Sequence, residues 1–138
     1  MNMKLREIVI CYKTLGEAKV TKLSDADVVK IVKARKAMRP IADDFEAFLK
    51  DCQEKFKPED WDKVQEKVQK WSELSEEEKL ACNKVIIAYQ KKLDEALVEE
   101  QEKDVELTLE KLEEGAGSKL LSENGWEVKR LDEIGLLL

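Results

Sequence analysis

The segment DVELTLE, Asp104 to Glu110, changes the period of the chain. Val105, Leu107 and Leu109 fall on every second residue, the spacing of a half-buried strand. Everything before it reads as helix. A strand leaves its backbone donors and acceptors open, so this one needs a partner. Three are considered: Ala18–Leu23, Trp126–Arg130 across the Gly115–Gly117 break, and the same strand in another copy of the chain. The last would make Val105, Leu107 and Leu109 partner contacts.

Upstream, the apolar residues follow helical periods. Leu5, Ile8, Tyr12 and Leu15 form one face of a first helix, about 3–18. KVTKLS is a connector. A long helix then runs from Ser24, where Ser24-Asp-Ala-Asp27 resembles a capping box with a shorter acid, to about Lys55. Ile31, Met38, Phe45 and Cys52 recur every seven residues, with Ala34, Ile41 and Phe48 as the companion series. Pro40 lies inside this helix. The heptad phase continues across it, which predicts a kink without a break.

FKPEDWDK restarts the helix, with Pro58 suited to a first turn. Trp61, Val64, Val68 and Trp71 make a short stripe. Ser75 and Glu78 form a capping box for a fourth helix, with a seam of Cys82, Ile86, Tyr89, Leu93 and Ala96. After the strand, short helices are expected around 118–122 and 126–134, and the apolar tail Leu136–Leu138 is expected to dock on the core. The expected fold is mainly α: a long antiparallel helical hairpin or bundle, with a short C-terminal β-strand and a small helical tail. It reads as one domain over 1–138, a helical body at 1–103 carrying a strand-containing tail at 104–138.

Composition narrows the function. Of 138 residues, 41% are charged and the net charge is −6, which argues against general nucleic-acid binding. The charge is uneven: residues 1–39 carry a net of +6 and residues 94–114 a net of −8. Lys30, Lys33, Lys36 and Arg39 recur every three residues on the long helix. They read either as a face that tracks phosphates or as an internal match for Glu95, Glu99, Glu100 and Glu102. The chain has no histidine, and Cys11, Cys52 and Cys82 are far apart, so a zinc site of usual spacing is absent. The three read as buried free thiols in a reducing compartment.

Neighbouring acids such as Asp43-Asp44 point about 100° apart on a helix and share a metal or a proton poorly. No base stands ready for a Ser or Cys nucleophile, and no glycine-rich phosphate loop occurs. The expectation is a non-enzyme without cofactor or small-molecule substrate. No run approaches the roughly 20 apolar residues of a membrane span, so a cytoplasmic protein is expected. Trp61 and Trp71 pack across the helical groove or form a contact patch for a partner.

The order KLREIVICYKTL, long charged helix, EKDVELTLEKL, LLSENGWEVKRLDEIGLLL resembles small proteins of bacterial phages and prophages. The likeness covers 4–56 and 102–138. FKPEDWDKVQEKVQKW departs from it, where such proteins carry a Gly-rich turn. The resemblance implies a phage-derived accessory protein, in a bacterial host or a virion, with no catalytic residues to carry over. The functional expectation is protein–protein interaction or assembly, including self-association, with a nucleic-acid-associated regulator as the alternative.

Overall fold

The computed structural model describes residues 2–138, and it is mainly α with one small β element. In chain order the elements are β1 (Asn2–Lys4), α1 (Leu5–Glu17), α2 (Asp25–Phe56), α3 (Trp61–Gln69), a 3-10 turn (Trp71–Glu73), α4 (Glu76–Gln101), β2 (Asp104–Glu106), α5 (Ala116–Asn124) and a 3-10 tail (Val128–Leu137). The chain divides into two compact units, one of residues 1–46 with 101–138, the other of residues 47–100.

The DVELTLE segment finds its partner within the chain, and it is none of the three expected. β2 pairs antiparallel with β1, Met3 opposite Val105 and Lys4 opposite Asp104. Leu5 N–H donates to the Lys103 carbonyl at 2.9 Å just beyond the ladder. The strand is shorter than its pattern, since the ladder stops at Glu106. Leu107 and Leu109 still turn inward and pack on the core without backbone pairing. The first helix therefore starts at Leu5, two residues later than its apolar face predicts. A three-residue strand is too short to show a period of two, so the sequence of β1 carries no signal.

In the first unit the core is one cluster. Ile8, Cys11 and Leu15 of α1 meet Ile31, Ala34 and Met38 of α2, and Leu112, Leu120, Ile134 and Leu137 close it from the C-terminal segment. Each large apolar side chain buried here contributes about 1.5–3 kcal/mol. The apolar end docks as expected: Leu137 is fully buried and its carbonyl accepts from Leu112 N–H at 2.8 Å. The tail is 3-10 rather than α, with non-helical backbone at Ile134. Gly125 ends α5 in the left-handed region, φ 64°, while Trp126 N–H donates back to the Leu121 carbonyl at 3.1 Å.

Two polar anchors hold this unit. Ser24 Oγ accepts from Asp27 N–H at 3.2 Å and caps α2. The buried Asp27 carboxylate does not reach back to complete a capping box; it accepts from Glu113 N–H at 3.0 Å. The connector after α1 is tied to the end of α5. Glu123 accepts from the Thr21 and Lys22 N–H groups, both at 3.0 Å, and from the Thr21 hydroxyl. Those bonds, the Thr21 hydroxyl foremost, hold its carboxyl below the ordinary carboxylate range. Asn124 brackets Lys19, its Oδ1 accepting from N–H at 2.7 Å and its Nδ2 donating to the carbonyl at 2.9 Å.

α2 stays helical through Pro40, whose ring is exposed to solvent. Its heptad series is buried at every position: Ile31, Met38, Phe45 and Cys52. The 47–100 unit is thinner. Cys52, Val64 and Cys82 are its buried apolar residues, one from each of its helices. Trp61 lies against Tyr89, ring centroids 4.6 Å apart, and the Tyr89 hydroxyl reaches the Gln53 carbonyl at 3.4 Å. Pro58 stands before α3, its carbonyl accepting from Trp61 N–H at 3.1 Å, so it sets the turn and not the first helical turn. At α4 the serine half of the capping box forms, Glu78 N–H donating to Ser75 Oγ at 3.2 Å; the Glu78 carboxylate accepts from the Ser75 hydroxyl at 3.1 Å, a side-chain bond in place of the box's second backbone bond.

Candidate interaction surfaces

The basic stripe of α2 is not a uniform face. Lys30 donates to the Lys111 carbonyl at 3.0 Å and lies 3.8 Å from Asp27. Arg39 Nε donates to the Tyr12 hydroxyl at 3.3 Å, and Arg35, between them in sequence, stacks 4.8 Å over the same ring. Lys33 and Lys36 stand exposed. Of the acids proposed to match this stripe, Glu102 pairs with Arg6 of α1 at 2.9 Å instead. Lys4 and Asp104, opposite each other in the ladder, pair at 3.0 Å.

The two tryptophans part company. Trp61 opens α3 and is half-buried against Tyr89. Trp71 falls past the end of α3, in the 3-10 turn, with the Lys79 ammonium 5.9 Å over its ring. Val105, Leu107 and Leu109 are half-buried against the core of the first unit.

The largest exposed apolar group in the 47–100 unit was not singled out by the sequence. On α4, Leu80, Ile87 and Val98 are 69%, 63% and 57% exposed. Steps of 7 and 11 residues at 100° each bring all three within about 20° of one line. The Cys82–Ala96 seam lies about 160° away on the same helix. Lys84, Lys91 and Asp94 share the outer line and are exposed. α4 is thus apolar on two opposed faces, one half-buried and one open. The spacing of exactly five turns between Leu80 and Val98 was the signal available in the sequence; the inner seam masked it.

Concave features are shallow and of mixed character. One, between α1 and the 3-10 tail, is lined by Arg6, Glu7, Ile10, Asp132, Glu133 and Leu136. Its Glu133 is already engaged, accepting from the buried Thr14 hydroxyl at 3.0 Å and pairing with Arg130 at 2.8 Å. Cys11 is buried and desolvation pushes its thiol up to about 12, so it stays protonated and unreactive at neutral pH. Cys52 and Cys82 are likewise free and buried. Among the described residues no group of three or more His, Cys, Asp or Glu side chains could hold a metal ion, and no helix is long and apolar enough to cross a membrane. No protein family, curated protein or solved structure matches the chain.

Proposed function

We propose that this chain is a protein-interaction or assembly protein that works by contact and not by turnover. The observation that carries the reading is the outer face of α4, where three large aliphatic side chains stand open along one line. Scattered exposed apolar residues are ordinary, but an aligned series on one helix is the pattern of a helix that packs against another chain. The resemblance to small phage and prophage accessory proteins implies the same kind of role, and the buried free thiols suit a reducing cytoplasm.

Cross-linking mass spectrometry in cells tests it, comparing wild type with Leu80→Lys/Ile87→Lys. Both positions are exposed, so the double variant keeps its fold. Cross-links from the α4 lysines Lys84 and Lys91 to another chain, lost in the variant, are the expected result. Cross-links that persist unchanged, or none through α4, would overturn it.

A further inference from the structure

We propose that Tyr12, Arg35 and Arg39 form a binding site for a phosphate monoester dianion, independent of the α4 reading. Tyr12 of α1 meets two cations of α2. The Arg35 guanidinium stacks 4.8 Å over its ring, and Arg39 Nε donates to its hydroxyl at 3.3 Å. Arg35 comes this close to α1 because Gly16 has no side chain: a Cβ there would stand 3.0 Å from Arg35 Nη2. Like charges one turn apart on a helix repel. Yet among the described residues no carboxylate pairs with either arginine, and the buried Arg35 Nε has no hydrogen-bond partner. The C-terminal end of α1, beside Gly16, offers about half a negative charge, too little for two cations.

The cluster consists of donors. The Tyr12 oxygen accepts from Arg39, so its own hydrogen is left to donate, and no described group accepts it. The terminal amino groups of Arg39 make no hydrogen bond among the described residues. Arg39 and Gly16 are exposed, and Tyr12 and Arg35 are half-buried, so a ligand reaches the cluster from solvent. Two positive charges and a hydroxyl match a dianion with three terminal oxygens; a carboxylate has half the charge and one oxygen fewer. Lys13 and Lys36, exposed beside Tyr12 and Arg35 in sequence, strengthen the positive field. A single site for a dianion differs from a stripe that tracks a nucleic-acid backbone, whose phosphates are monoanionic diesters.

Nuclear magnetic resonance of the arginine Nε–H groups tests the site. The chain is titrated with inorganic phosphate, methyl phosphate or acetate at constant ionic strength and about pH 8, above the second pKa of phosphate. The expected result is saturable shifts at Arg35 and Arg39 with either phosphate, and roughly tenfold weaker binding of acetate. Tighter binding of methyl phosphate identifies an esterified source, tighter binding of inorganic phosphate a free ion; either supports the site. Gly16→Ala displaces Arg35 without removing a donor, and Arg39→Gln removes one cation from an exposed position. Each should weaken phosphate binding roughly tenfold with the circular dichroism spectrum unchanged. Shifts that never saturate, that acetate reproduces at equal concentration, or that persist in both variants would refute the site and leave the two arginines as braces between α1 and α2.

Discussion

Asp27 shows how one side chain can be misread by its local pattern. Ser24-Asp-Ala-Asp27 resembles a capping box, and half of the box forms: the serine caps the helix. The aspartate instead turns toward a segment 86 residues away and accepts from Glu113 N–H. Nothing near Asp27 in sequence names that partner. Asp27→Ala removes the buried acceptor of the Glu113 N–H, and should lower unfolding free energy by about 1 kcal/mol in urea titration. Cys11 makes a second, pH-dependent claim. Its thiol pKa rises from 9.0 to about 12 on burial. Below pH 9 both folded and unfolded chains hold the proton, and its contribution is fully present. Above that the unfolded chain ionises while the native one does not, so stability falls until about pH 12. The slope from this group is about 1.4 kcal/mol per pH unit. Urea midpoints between pH 8 and 11 should therefore fall less steeply in Cys11→Ala than in wild type.

At the scale of elements, the long helices and the strand at Asp104–Glu106 were legible, and the strand that pairs with it was not. The seven-residue series on α2 is buried at each position, Ile31 and Met38 in the core of the first unit and Cys52 among the few buried residues of the second. Ser75 caps α4 as expected, and Glu78 turns back to its hydroxyl and not to its backbone N–H. The alternation at Val105, Leu107 and Leu109 correctly gives an inward face, but pairing depends on a distant segment. β1 is only three residues long and abuts a helix, so it carries no pattern of its own. The finding changes what Leu107 does. It packs on the core and does not wait at an open edge. Leu107→Lys should cost about 1–3 kcal/mol of stability through lost burial, read as a lower thermal midpoint, with solution mass unchanged. A change of mass without loss of stability would show that this segment contacts another chain.

For the molecule as a whole, charge and apolar surface separate the two functional readings. The basic stripe looked continuous in sequence because its members recur every three residues. In three dimensions Lys30 is engaged with Lys111 and Asp27, and Arg39 with Tyr12, which leaves Lys33 and Lys36. Two exposed lysines give a weak and strongly salt-dependent attraction for phosphates. Lys33→Glu/Lys36→Glu should leave thermal stability within about 0.5 kcal/mol of wild type. Fluorescence anisotropy with a labelled duplex should find no difference between the two at physiological salt. Tight wild-type binding abolished by the double change would favour the nucleic-acid alternative. The outer face of α4 went unread for the opposite reason: its residues are far apart in sequence and the inner seam already explains the helix. Only exposure shows that the second line is open.

The most direct test of that face is site-specific photo-cross-linking in cells. A photoreactive residue replaces Leu80, Ile87 or Val98 on the open line of α4, or Glu66 on the exposed side of α3 as a control. The account predicts adducts to another chain from the three α4 positions and none from position 66. No adduct from α4, or equal adducts from position 66, would contradict it.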